Sequence, residues 1–158
     1  MTKIYEGLGL KCLYPENWNL IEDSENGTAV SFTLESPSSA FMTVSEFPQA
    51  VSPETAVEQC VDTMRQEYEG IEEDPYEPNL QFQGSPLESV HALDLRFYYL
   101  DLLVISRLIA FRTGNRVFLI QIQSEDRDFE TLEQVFHAMT DSMDQSLESS
   151  TQRDDEEG

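Results

Sequence analysis

The feature that most constrains the fold is an almost continuous apolar run at residues 102–111, followed by the turn residues Thr113, Gly114 and Asn115. A run of this length predicts a β-strand, and because successive side chains of a strand point to opposite sides, it is apolar on both faces. A strand of this kind must be covered on both faces. We therefore expect a sheet with helices packed above and below its centre.

Shorter segments with alternating apolar and polar residues predict the other strands. Asn26 and Gly27 tolerate positive φ and predict a tight hairpin, and the strands before Pro48 are expected to form an antiparallel meander. Strands are predicted at residues 9–14, 18–23, 30–34, 41–47, 90–99, 102–111 and 117–123. The expected fold is an α+β, α/β/α sandwich with a twisted antiparallel sheet of about six or seven strands.

Two helices are predicted to cover this sheet. Ser52 and Pro53 suit a helix N-terminus, and the apolar stripe of this helix runs to Tyr68, before Gly70. A second stripe begins near residues 124–128 and contains, at three-then-four spacing, Phe129, Leu132, Phe136, Met139 and Met143. The acidic, proline-broken segment 72–77 predicts an edge strand or an exposed connection. Residues 148–158 contain no apolar side chain and predict a disordered acidic tail after a single domain at 1–147.

The charge of the chain excludes some classes of partner. It has 31 acidic and 9 basic residues, for a formal net charge of −22, which repels nucleic acid and anionic membranes. This charge favours solubility, or adaptation to a salty cytoplasm, or attraction to a basic partner. No basic flank and apolar run typical of a secretory signal stands at the N-terminus, so a cytoplasmic location is expected.

Few residues could perform catalysis. The cysteines, Cys12 and Cys60, have no CxxC spacing and are expected to be buried, although the sequence leaves a disulfide between them open. Glu133, His137 and Asp141 recur at four-residue spacing on one helical face, which predicts either a weak metal site or a surface histidine among acids. No phosphate-binding glycine loop and no HExxH motif occurs in the sequence, so we expect no cofactor and no catalytic site.

The order of these elements resembles the PsbP-like superfamily, which includes the Ran-binding Mog proteins, and most closely its bacterial DcrB-like branch. The resemblance spans residues 8–145. It depends on Tyr-Pro-Glu-Asn-Trp at residues 14–18, on Gly-Ser-Pro at residues 84–86 and on the placement of the helices. Asn17 stands where the family usually has glycine, and asparagine is well suited to replace glycine in a left-handed turn.

The resemblance implies protein binding, because members of this superfamily act as adaptors and assembly factors. We therefore expect a non-catalytic adaptor or chaperone-like protein, whose partner is basic or carries an apolar segment. Its candidate surface is the polar row Asp94, Arg96 and Tyr98. Two alternatives remain open: a metal-assisted hydrolase that uses the face of Glu133, His137 and Asp141, and a structural subunit of a larger assembly. The sequence predicts no oligomeric state.

Overall fold

The structure is a computed structural model that describes the backbone of residues 1–78 and 87–157, and their side chains except those of residues 28, 29, 87, 88 and 144–157. In these residues the elements are β1 (Thr2–Gly7), β2 (Leu10–Pro15), β3 (Asn19–Glu25), β4 (Thr28–Glu35), β5 (Phe41–Phe47), α1 (Pro53–Glu67), β6 (Glu72–Pro75), β7 (Leu87–Tyr99), β8 (Leu102–Thr113), β9 (Arg116–Glu125) and α2 (Asp126–Glu157). Seven strands form one antiparallel sheet in the order β3-β4-β5-β9-β8-β7-β6. The expected α+β fold is confirmed.

Strand β8 lies between two hydrophobic clusters, as its apolar sequence requires. Leu108 packs in one cluster with Val57 and Met64 of α1. The next residue, Ile109, packs in the other cluster with Phe136 of α2. Because neighbouring residues of a strand point to opposite sides, the two helices cover opposite faces of the sheet centre. We call these the α1 face and the α2 face.

The first predicted strand is not part of the main sheet, and the predicted meander was wrong on this point. β2 pairs with β1 in a separate two-stranded sheet, joined by a tight turn at Leu8 and Gly9. Its alternate residues Leu10, Cys12 and Tyr14 are buried in the α2-face cluster. The hairpin therefore acts as a cover for the α2 face beside α2. Local alternation predicts a strand but does not say which strand is its neighbour.

The proline turn places Trp18 against α2. The Trp18 backbone N–H donates to the carbonyl of Pro15 at 3.1 Å and closes the turn. The indole is buried and meets the ring of Phe136 edge-on, with centroids 5.7 Å apart. Asn17 is not among the residues with positive φ, so the expectation of a left-handed residue there was wrong: this turn closes without one.

Helix α1 begins as the sequence predicts. The hydroxyl of Ser52 accepts a hydrogen bond from the backbone N–H of Thr55, and Pro53 is the first helical residue. The buried positions of α1 fall on one face. The helix ends at Glu67, one turn before the left-handed Gly70.

Helix α2 begins at Asp126, within the predicted window, and buries Phe129, Phe136, Met139 and Met143. Its backbone is helical to Glu157, whereas the sequence predicts a disordered tail from residue 148. The side chains from residue 144 onward lie outside the described residues, so the predicted end of the domain at residue 147 stays a prediction. Within the described part of the chain, no helix has the length and apolar character needed to cross a membrane.

The two edges of the main sheet are β3 and β6. β6 has four residues, three of them acidic and the fourth Pro75, which confirms the predicted edge segment and discourages further strand pairing. The predicted turn at residues 84–86 lies outside the described residues.

Candidate functional site

Arg107 is the one charged residue within the apolar run 102–111 of strand β8. It lies on the α2 face directly opposite Asp94 of β7, and its side chain is only 14% exposed. The Arg107 Nε donates to Asp94 Oδ1 at 2.9 Å, and Nη2 donates to Oδ2 at 3.1 Å. This two-point geometry is the strong form of an arginine–carboxylate pair, and it compensates for the burial of both charges.

Arg107 also binds groups from two other parts of the chain. Its Nη1 donates to Oε1 of Glu133 on α2 at 3.3 Å. The guanidinium lies 3.7 Å from the ring centroid of Tyr76 and 4.9 Å from that of Phe129. Burial lowers the pKa of Arg107, but the hydrogen bond and charge of Asp94 outweigh this effect, so the pKa is raised and the group stays cationic.

A cleft of about 370 Å³ lies beside Arg107, between α2 and the sheet. We call it the Arg107 cleft. Ile109, Ile122, Phe129 and Phe136 form its apolar floor, and Tyr76, Glu130, Glu133, Gln134, His137 and Thr140 complete its lining. A concave apolar site with a few polar groups at its rim is the usual form of a small-ligand site.

The predicted metal-binding residues lie on the rim of this cleft or beside it. His137 Nε2 is 3.7 Å from Asp141 Oδ2, and both side chains are more than half exposed. Glu133 turns to Arg107 instead. Among the described residues, no three His, Cys, Asp or Glu side chains gather where they could hold a metal ion. The geometry therefore adds no support to the metal-assisted alternative.

The three residues of the predicted partner-binding row have different surroundings in the structure. Asp94 is engaged with Arg107 and its side chain is 18% exposed. Arg96 is exposed and lies 3.8 Å from Asp74 of β6 in a loose ion pair. Tyr98 is 71% exposed. Of the three, Arg96 and Tyr98 are accessible to a partner, whereas Asp94 helps to hold the Arg107 cleft together.

Tyr98 belongs to an exposed apolar group at the end of the β7–β8 hairpin. Tyr99, Leu100 and Leu102 are also exposed, and Leu100 is the most exposed of the four at 77%. We call these four residues the β7–β8 tip. The two residues between the paired Tyr99 and Leu102 are Leu100 and Asp101, with φ of 51° and 64°. Both adopt the left-handed conformation of a type I′ turn.

The two cysteines are free and lie on opposite faces of the sheet, so the main sheet separates their thiols. Burial raises the pKa of Cys12 to about 12 and that of Cys60 to about 11. A thiol that stays protonated is a poor nucleophile. These residues behave as buried apolar groups, as the sequence indicates.

Sequence reasoning missed Arg107 and Tyr76. A signal for Arg107 was present, because a charge inside a strand that is apolar on both faces needs a partner. Its register opposite Asp94 could not be read from the sequence. Tyr76 follows the edge strand β6, and only the tertiary fold brings its ring over the guanidinium.

Comparison with known proteins gives the fold. No protein-family model matches the chain, and no curated protein matches it. The solution structure of cyanobacterial PsbP (CyanoP) from Synechocystis sp. PCC 6803 matches with a TM-score of 0.56 at 12% identity, covering 89% of this chain and 90% of that chain. At this identity the likeness concerns the fold alone. The chain has a PsbP-like fold, which confirms the resemblance, whereas its place in the DcrB-like branch stays a prediction.

Two further structures match more loosely. The protein of unknown function PA94 from Pseudomonas aeruginosa has a TM-score of 0.47 at 13% identity, covering 93% of this chain and 94% of that chain. LpqN, involved in cell envelope biogenesis of Mycobacterium tuberculosis, has a TM-score of 0.41 at 13% identity, covering 88% of this chain and 80% of that chain.

Proposed function

We propose that this chain is a non-catalytic adaptor or chaperone-like protein that binds a partner protein through the β7–β8 tip and the adjacent Arg96. The observation that carries this proposal is the tip itself. Four large apolar side chains are exposed within five consecutive residues, in a chain with a formal net charge of −22. Large apolar side chains grouped on a polar surface are typical of protein-binding sites.

The turn residues support a binding role for the tip. Asn and Gly are the residues preferred in a type I′ turn, and the β3–β4 hairpin uses them at Asn26 and Gly27. The β7–β8 hairpin has Leu100 and Asp101 instead, and a left-handed leucine costs about 1 kcal/mol. Because Leu100 is also exposed, neither backbone preference nor burial explains it. Contact with a partner would explain both the exposure of Leu100 and its place in an unfavourable turn position.

The chemistry of the tip indicates the kind of partner. Two tyrosines and two leucines can bury an apolar segment, and tyrosine is enriched at protein interfaces. The negative charge of the whole protein attracts a basic partner within a Debye length of about 8 Å at physiological salt. The expected partner is therefore a protein segment with apolar side chains and a basic flank.

The proposal is tested by a variant that improves the turn and removes Leu100, the most exposed apolar side chain of the β7–β8 tip. Leu100→Asn with Asp101→Gly introduces the preferred residues of a type I′ turn, so the melting temperature should stay the same or rise. As a matched control, Leu20→Ser with Ile21→Ser removes two apolar side chains that are 40% and 50% exposed on β3. Both variants and the unchanged protein are used as bait in native lysate over a series of salt concentrations.

The expected result is one protein retained in stoichiometric amount by the unchanged chain and the β3 control, and reduced at least tenfold with the tip variant. Equal capture by the tip variant would show that the tip is not the binding surface. Failure to capture a stoichiometric partner at any salt concentration would contradict the adaptor role.

A further inference from the structure

We infer that the Arg107 cleft binds an organic cation, that is, an ammonium or guanidinium group on a small apolar body. This inference is separate from partner binding at the β7–β8 tip, because the cleft lies between α2 and the α2 face of the sheet. It depends on three properties of the cleft: its apolar floor, its uncompensated negative charge and the aromatic rings in its wall.

The floor of the cleft suits an apolar body. Ile109 and Ile122 come from neighbouring strands, and Phe129 and Phe136 come from the buried stripe of α2. All four side chains belong to the α2-face cluster, so their positions are set by core packing. The volume of about 370 Å³ is at the small end of the range for ligand pockets. It accommodates a phenyl or short alkyl group with a charged end.

The charge of the cleft selects a cation. The single positive charge of Arg107 is outnumbered by three carboxylates: Asp94 and Glu133 pair with it, and Glu130 also lines the cleft. Two negative charges are therefore left over. Glu130 has no ion pair among the contacts of the described residues. An anionic ligand would be repelled by this surplus, whereas a cation would reduce it.

The wall of the cleft already holds one cation in the way that a second could be held. The guanidinium of Arg107 lies over Tyr76 and Phe129 while carboxylates accept its hydrogen bonds. Aromatic faces attract cations through their negative π surface. A ligand ammonium at the rim would find the carboxylate of Glu130 and the ring of Phe129 in the lining of the same cleft, and its apolar body would lie on the floor.

The direct test uses two probes of the same shape and opposite charge. Isothermal titration calorimetry of the full chain with 2-phenylethylamine at pH 7 measures the cation, and 3-phenylpropionate measures the anion. We expect the amine to bind at least tenfold more tightly. Equal binding of the two probes, or no measurable binding of the amine, would overturn the inference.

A pair of charge-matched variants places the binding in the cleft. Glu130→Gln with Glu133→Gln removes two exposed rim carboxylates. Glu54→Gln with Glu58→Gln makes the same change in net charge on the exposed face of α1. The rim variant should lose amine affinity about tenfold, and the α1 variant should stay within twofold of the unchanged protein. An equal loss in both would show attraction to overall charge only, and thermal melts check that both variants are folded.

Two sources could supply the cation, and a peptide separates them. Acetyl-Leu-Lys-Leu-amide presents a lysine side chain between apolar residues, as a partner protein would. Tighter binding of the peptide than of 2-phenylethylamine supports a partner side chain as the ligand, and tighter binding of the free amine supports a small molecule. Capture of a partner by the rim variant in the lysate experiment tests the tip independently of the cleft.

Discussion

The two faces of the main sheet are built from the same strands but are covered to different extents. On the α2 face, α2 and the β1–β2 hairpin cover the sheet as far as β4, and Phe32, Leu34, Met42 and Val44 are fully buried there. On the α1 face, α1 packs over β7, β8 and β9. The central positions of β4 and β5 on this side are Ser31, Thr33, Thr43 and Ser45, all half-buried, and Phe41 and Phe47 lie on the same side at the two ends of β5.

The difference shows that coverage follows the side chains of each face. A row of hydroxyl side chains can face water without cost, and the Thr33 and Thr43 hydroxyls bond to each other across the strands at 2.7 Å. A row of phenylalanine, leucine and methionine cannot remain in water, so the chain needs a second cover on that face. The Arg107 cleft lies on the α2 face, where α2 and the sheet meet and form its walls.

Among the substitutions that test the difference between the two faces, Trp18→Ala is expected to cause the largest loss of stability. The indole is buried against Phe136 on the α2 face, so its removal should lower the free energy of unfolding by about 3–5 kcal/mol. Ile21→Ala on the α1 face of β3, where the side chain is half exposed, is the control and should cost less than 1 kcal/mol or so. Urea denaturation measures both. Similar losses would mean that the two faces are equally covered at this end of the sheet.

Two neighbouring residues of β5 test the faces within one strand. Met42→Ala removes a fully buried side chain from the α2 face and should cost about 2–5 kcal/mol. Thr43→Ala removes one cross-strand hydrogen bond from the α1 face and should cost about 1 kcal/mol or less. The midpoint of guanidinium denaturation gives both values. A larger loss for Thr43→Ala than for Met42→Ala would reverse the interpretation of the faces.

The thiols on the two faces give a prediction about pH. Because burial raises the pKa of both Cys12 and Cys60, the unfolded chain loses these protons at lower pH than the folded chain. Stability is therefore complete below about pH 8 and falls as pH rises, with a loss of about 1 kcal/mol per thiol by pH 10. Cys12→Ala and Cys60→Ala should each flatten the dependence of the melting temperature on pH. If only Cys12→Ala does so, water reaches the thiol on the α1 face.

The smallest change in stability is expected from deletion of the end of α2. Deleting residues 148–158 should shift the melting temperature by less than about 2 °C, because an acidic segment without apolar side chains buries little surface. The last described buried side chain of α2 is Met143. A loss of several degrees would show that the helix beyond residue 147 is part of the cover of the α2 face.

Most elements of the fold were predictable because their signals are local. Ser52 and Pro53 start α1, Asn26 and Gly27 make the β3–β4 turn, and the apolar run of β8 requires two covers. Each of these depends on backbone preferences or on the side-chain period of a few neighbouring residues. The hydroxyl side chains of β4 and β5 also indicate, from the sequence, that no helix covers the outer part of the α1 face.

The sequence by itself thus determined which segments are strands and helices and which of their faces are apolar. Only the tertiary structure decided that β2 leaves the main sheet to pair with β1, that Asp94 lies opposite Arg107, and that Tyr76 and Glu133 meet the same guanidinium. The contacts of Tyr76 and Glu133 with Arg107 join separate elements, and the pairs within the β1–β2 and β7–β8 hairpins depend on strand register. Their geometry depends on strand register and on how α2 lies across the sheet, which the packing of the whole core sets and no short stretch of sequence contains.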